Sequence, residues 1–149
     1  MTYALPMERD QVASLLPHAP PALMVDRVTA FEGRTITAEV FVNPAWTLFH
    51  GHFPERPILP GVILVEMIAQ TGALIGCLQG LVEDGKFMAF SGIEKARFRR
   101  PVLPGETVQM TVTLDSERRG FFKFSGRAQV GEEAAASVIF TAARMGFDQ

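Results

Sequence analysis

The sequence predicts an α+β fold in which one antiparallel sheet curls around a single long central helix. Three observations carry this expectation. Stretches of alternating apolar and polar residues flank one long apolar run, two before it and four after it. The run is apolar on nearly every side, and a helix of that kind must be covered on most sides. Glycine- and proline-containing turns separate the stretches, and the natural twist of strands lets one sheet wrap a rod. Two such sheets side by side would protect edges and bury more surface, so the same reasoning predicts a dimer.

In chain order, residues 6–15 read as a short helix. Pro6 suits its first turn, Glu8 and Asp10 suit the positive end of its dipole, and Pro17, Pro20 and Pro21 stop it. Residues 22–31 read as a strand closed by Glu32-Gly33. A second strand follows, with Ile36, Ala38, Val40 and Val42 on one face and Thr35, Thr37 and Glu39 on the other. Residues 43–60 form a loop stiffened by Pro54, Pro57 and Pro60. Gly61 opens the long helix, which runs to about Gln79 with Gly80 as its stop. Four strands complete the chain: 87–100, one through Val108, Met110, Val112 and Leu114, one through Phe122, Phe124 and Ala128, and 134–145. Turns at Pro104-Gly105 and Gly131-Glu132 separate them.

The 149 residues suit one domain spanning 1–149, with apolar and charged fractions of 48% and 20% that fit a folded globule. A net charge of -2 supplies no general field for nucleic acid. Cys77 is the only cysteine, which excludes an intrachain disulfide and fits a reducing, cytoplasmic setting. The charged N-terminus does not read as a signal peptide. Residues 58–82 approach the roughly 20 apolar residues of a membrane span. Glu66, Gln70 and Gln79 interrupt them, and a buried central helix accounts for the pattern.

Glu66 is the sharpest anomaly, being the only charged residue between Arg56 and Glu83. A carboxylate among apolar neighbours either protonates, and can then act as a general acid, or finds a structural partner such as a buried Arg or a backbone group. His52, in FHGHFPERP, is a candidate general base held by the stiff loop, or a histidine that is merely exposed or hydrogen-bonded. Gly61 and Val62 open the helix, so their N–H groups lack intrahelical partners and can stabilise negative charge on a carbonyl oxygen; equally, many helices open this way and bind nothing. His50 and His52 would share one side of an extended chain, as metal ligands can, but no third ligand lies near in sequence and no metal is expected. His18, set among prolines, reads as structural. Lys95, Arg97, Arg99 and Arg100 form a basic run that could attract an acidic partner or could be a solvated strand face.

Taken together, these residues resemble the β-hydroxyacyl-(acyl-carrier-protein) dehydratases of the FabZ type. The match centres on GHFPERPILPGVILVEMIAQ, residues 51–70, with His-Phe-Pro, Arg-Pro, Pro-Gly-Val and a Glu fourteen positions after the His. LLPHAPPALMVDRV, GIEKARFRRPVLPGE and RGFFKFSGRAQV extend it over most of the chain. The resemblance implies a hot-dog fold, no cofactor, and a homodimer, or a trimer of such dimers, with active sites across the subunit interface. It implies dehydration of (3R)-3-hydroxyacyl thioesters borne by acyl carrier protein, with His52 of one subunit as base and Glu66 of the other assisting departure of the hydroxyl. Gly61 and Val62 would polarise the thioester carbonyl. Phe53, Ile63, Leu64, Ala89 and Phe90 would line or support the acyl tunnel, and Lys95, Arg97, Arg99 and Arg100 would meet the carrier. A dehydratase that also isomerises usually has Asp where Glu66 stands. A thioesterase or a non-catalytic carrier-binding protein on the same fold would lack reason to keep the His-Phe-Pro loop and both His52 and Glu66. The chain departs from the family pattern at Ala19–Ala22, at Trp46-Thr47 and at Ala89, where a tunnel Tyr is usual. These departures bear on tunnel width and chain-length preference.

Overall fold

The computed structural model describes residues 3–147. In order, the elements are α1 (Arg9–Leu15), β1 (Arg27–Glu32), β2 (Thr35–Phe41), a short 3-10 helix (Thr47–His50), α2 (Gly61–Leu78), β3 (Lys86–Phe98), β4 (Thr107–Arg118), β5 (Phe121–Val130) and β6 (Glu133–Gly146). The six strands form one sheet in the order β1-β2-β4-β5-β6-β3, every neighbouring pair antiparallel. The sheet curls around α2 in the hot-dog arrangement, as the alternation and the apolar helix predict.

The inward faces are those read from the sequence. Ile36, Ala38, Val40 and Val42 are fully buried, as are Val108, Met110 and Val112. Phe122, Phe124 and Phe140 close the far side of the core, the last two with rings stacked 5.0 Å apart. Gly126 sets the separation between layers: a Cβ there would stand 2.5 Å from Ile68 Cγ2, so only glycine lets α2 approach this closely. The C-terminus of α2 is a Schellman motif. Gly80 has φ 72°, its N–H bonds the Cys77 carbonyl, and the Leu81 N–H bonds that of Gly76.

Three expectations change. The first helix starts at Arg9, not Pro6, because Met7 exchanges two backbone bonds with Val28 (2.9 and 2.8 Å) and is drawn into the sheet. The first strand starts at Arg27, not residue 22. Leu23, Met24 and Val25 are all buried in an extended segment whose polar groups are bound elsewhere, Met24 N–H by the Gln70 side chain. The β4–β5 turn, unmarked in the sequence reading, is Arg119-Gly120 with φ 55° and 81°, the positive-φ pair of a tight hairpin.

The cover on α2 is also incomplete. Val62, Glu66, Ala69, Ala73 and Cys77 recur at helical spacing and remain half-buried or exposed, forming one stripe that the sheet leaves open. By length and hydropathy, 1.8, α2 could cross a membrane; 56% of it is buried within the fold as its core helix.

Candidate active site

The proline-rich loop holds His52 by two bonds to one residue. Ile58 N–H donates to the His52 carbonyl (3.0 Å), and His52 Nδ1 lies 3.1 Å from the Ile58 carbonyl. A carbonyl oxygen only accepts, so Nδ1 is the donor, and in the neutral ring Nε2 is then the nitrogen with the lone pair, the tautomer a general base requires. Leu59 N–H anchors the loop to the Val102 carbonyl (2.8 Å), and the Phe53 ring stacks on the imidazole with centroids 4.3 Å apart.

Glu66 stands on the open stripe of α2, its side chain 36% exposed, where the apolar surroundings in sequence suggest a fully buried group. Among the described residues, no arginine pairs with it. Gln70, one turn on, donates to Glu66 Oε2 (2.9 Å) and to the Ala22 carbonyl (2.8 Å), while Gln70 Oε1 accepts from Met24 N–H (2.9 Å). Gln70 is 1% exposed with each of these groups engaged, so it is a fixed bracket that ties the carboxylate to the extended segment. Glu66 Oε1 has no hydrogen-bond partner among the described residues. His18 Nε2 lies 3.7 Å from Oε2, and its buried Nδ1 lacks a hydrogen-bond partner. His18 therefore belongs to the acid's surroundings and is not merely part of a proline turn.

Glu66 opens on a cavity of about 40 Å³ whose walls include Ala69, Phe90, Phe124 and Phe140. Of the expected tunnel residues, Phe90 borders it, with its ring edge-on to Phe140 at 5.4 Å. Phe53 stays with His52. Ile63 is half-buried on α2, and Ala89 pairs with Ala143 across the β3–β6 ladder. Leu64 borders a separate cleft of about 440 Å³ with Gly61, Phe98 and Arg99. Sequence reasoning missed Gln70, Ala69 and Met88. The Glu-x-x-x-Gln spacing, which sets both side chains on one helical face, was the available signal for the first.

At the start of α2, the Phe98 ring packs on Gly61, where a Cβ would stand 3.0 Å from Phe98 Cε1. The Gly61 and Val62 N–H groups donate to nothing among the described residues, and Val62 is 73% exposed. Both lie at the end of the molecule that carries the His52 loop. Within one chain, His52 and Glu66 make no hydrogen bond or ion pair with each other.

Lys95, Arg97 and Arg99 border one shallow depression on the outer face of the sheet, and Arg99 also borders the cleft at Gly61. Arg100 turns away from them. Its Nη2 donates to both carboxylate oxygens of Glu106 (2.8 and 2.7 Å). Burial acts to raise the Glu106 pKa, but the Arg100 bonds and charge and the Leu103 N–H outweigh it and hold Glu106 below its usual value. Three cations, not four, therefore face outward. Among the described residues, no three His, Cys, Asp or Glu side chains gather as a metal site.

The FabA-like domain family matches residues 16–139. The 3-hydroxyacyl-[acyl-carrier-protein] dehydratase FabZ of Actinobacillus succinogenes is 41% identical over 139 residues, 93% of each chain. That of Klebsiella pneumoniae is 43% identical over 137 residues, 91% of each. Among solved structures, a thioesterase from Haemophilus influenzae aligns with TM-score 0.67 at 19% identity, covering 100% of this chain and 95% of that one. The dehydratase heterocomplex ApeI:P of Xenorhabdus doucetiae aligns with TM-score 0.59 at 23% identity, covering 80% and 96%. The structural likenesses show the shared fold, and the sequence matches show more: the chain belongs to the FabA-like family, among the FabZ-type 3-hydroxyacyl-[acyl-carrier-protein] dehydratases.

Proposed function

We propose that the protein dehydrates (3R)-3-hydroxyacyl thioesters to trans-2-enoyl thioesters in fatty acid or related acyl-chain synthesis in the cytoplasm. The observation that carries this reading is Glu66: the one acid on an apolar helix, bracketed by Gln70 at the rim of a cavity walled by phenylalanines. His52 Nε2 removes a C2 proton, and Glu66 donates a proton to the 3-hydroxyl as it leaves as water. The Gly61 and Val62 N–H groups receive the charge that builds on the thioester oxygen. Lys95, Arg97 and Arg99 meet an acidic acyl carrier, whose thioester enters by the cleft they share with Gly61 through Arg99.

The working unit in this reading is a dimer joined along β3. That strand has thirteen residues, forms the sheet edge, and exposes Phe90, Ile93 and Phe98 by 43–52%. Long apolar edges are ordinarily paired or covered. Antiparallel pairing about a two-fold axis near Glu94 sets the Phe98 end of one copy beside the Phe90 end of the other. The first end carries the His52 loop and the second carries the Glu66 cavity, so base and acid meet across the interface.

The test is to supply a (3R)-3-hydroxyacyl thioester and follow enoyl product, free thiol and double-bond position. Enoyl formation without thiol release is expected, falling roughly 10²-fold or more in His52→Ala and in Glu66→Gln. Thiol release would replace this reading with a thioesterase, and a shifted double bond would add isomerisation. Undiminished rates in either variant would remove that residue from the mechanism.

A further inference from the structure

The cavity beside Glu66 is too small for an acyl tail. Its volume of about 40 Å³ is near the roughly 30 Å³ that one water occupies in the liquid. A second chamber of about 360 Å³ lies beyond it, and His18, Ala73 and Met88 border both. The floor is continuous. Glu66, Ala69, Ala73 and Cys77 follow one another along the open stripe of α2, and the small side chains leave a groove. Leu15, Val82, Phe87 and Phe147 supply apolar wall to the far chamber, with Glu83, Asp84 and Lys86 among its polar lining. Burial pushes the Cys77 thiol up to about 11, so it stays protonated and acts as a small apolar wall beside a thioester substrate.

Met88 borders both spaces. It reaches from β3 onto α2, where its Cε fills the site that a side chain at Gly76 would take; a Cβ on Gly76 would overlap it. Methionine has three rotatable bonds and adapts its shape at low cost. We propose that Met88, seated in the Gly76 notch, is a movable partition that sets acyl chain length by admitting tails into the far chamber. This rests on the dehydratase reading above and adds the specificity determinant. Ala73 lies seven residues beyond Glu66, about 10 Å along the helix. Short tails therefore end before the partition, and tails of medium length or more must displace it.

The experiment is kcat/KM for 3-hydroxyacyl thioesters of short, medium and long chains, in wild type, Met88→Ala and Met88→Phe, with thermal unfolding run on each. Each methylene fully buried contributes about 0.8 kcal/mol, so roughly four-fold in kcat/KM is the ceiling per methylene in a chamber with this much polar lining. The long-to-short ratio is expected to rise in M88A, by up to that factor per methylene, and to fall in M88F. Profiles parallel to wild type in a folded M88A would overturn the partition while leaving the dehydratase standing. Absence of enoyl product at every length in wild type would remove the dehydratase reading, and the partition with it.

Discussion

Gln70→Met tests whether the bracket on Glu66 is both structural and catalytic. The substitution keeps an unbranched side chain of similar length but removes three hydrogen bonds. Met24 is 9% exposed, so its N–H would be orphaned away from water, which costs about 1–3 kcal/mol. The Ala22 carbonyl is at an exposed residue and can turn to water. The bond to half-exposed Glu66 adds about 1 kcal/mol. The sum is roughly 2–4 kcal/mol, and at about 2–4 °C per kcal/mol for a chain of this size Tm should fall by roughly 5–15 °C. Turnover should fall separately. A Glu66 carboxyl group released by Gln70 must be oriented again in the transition state, and a loss of about 1.4 kcal/mol there is tenfold in kcat. Thermal unfolding by circular dichroism and the enoyl assay read the two effects independently. A Tm within about 2 °C of wild type would refute the buried-bond accounting. A fallen Tm with unchanged kcat would leave Gln70 as a staple for residues 22–24 and nothing more.

Further outcomes are expected elsewhere in the molecule. Gly126→Ala should destabilise by about 1–3 kcal/mol through overpacking against Ile68; in an Ile68→Ala background it should cost less, and equal costs in a double-mutant cycle of unfolding free energies would deny the contact. Cys77 should resist alkylation at neutral pH until the protein unfolds, because its folded pKa is raised. The unfolded thiol ionises first, so stability should fall as pH rises from about 9 towards about 11, and Cys77→Ala should flatten that part of the curve. Reversing the charges at Lys95, Arg97 and Arg99 should raise KM for a carrier-borne substrate roughly tenfold more than for the same acyl group on pantetheine, with the difference shrinking in high salt. Equal changes on both substrates would separate these residues from carrier docking.

The fold was legible where period and burial coincide. Alternation at 36–42, 108–114 and 122–128 named the inward faces, and the unbroken apolar run named the central helix. The sequence pattern did not disclose what long-range pairing decides. Pro6 and Glu8 carry good helix-start chemistry, yet Met7 gains two backbone bonds by joining Val28 in the sheet. Residues 22–26 have strand composition, but Gln70 takes the Met24 N–H that a ladder would use. Strand order was equally hidden, because β3 pairs with β6 across the whole of β4 and β5 and nothing local marks a partner that far away. At the candidate site, residue types and spacing singled out His52, Glu66 and Gly61 as candidates. The cavity was not legible, since its walls come from β3, β5 and β6 and meet only when the sheet curls.

The half-exposure of Glu66 and the open edge at β3 have one physical explanation. A carboxyl group sealed in an apolar core would pay a large desolvation cost each time it gave up its proton. On the uncovered stripe of α2 it keeps access to water while Gln70 fixes its direction. The stripe stays uncovered because β3, the strand nearest that side, is the last in the sheet and has nothing beyond it. Pairing that edge with a second copy would bring a His52 loop towards the open face, and the acyl chain would fill the apolar groove. Water would then be expelled at the stage when general acid and base must act, which strengthens every charge interaction in the site. The same incompleteness that leaves His52 and Glu66 of one chain apart is thus what lets Glu66 be held, hydrated and aimed on an otherwise apolar helix.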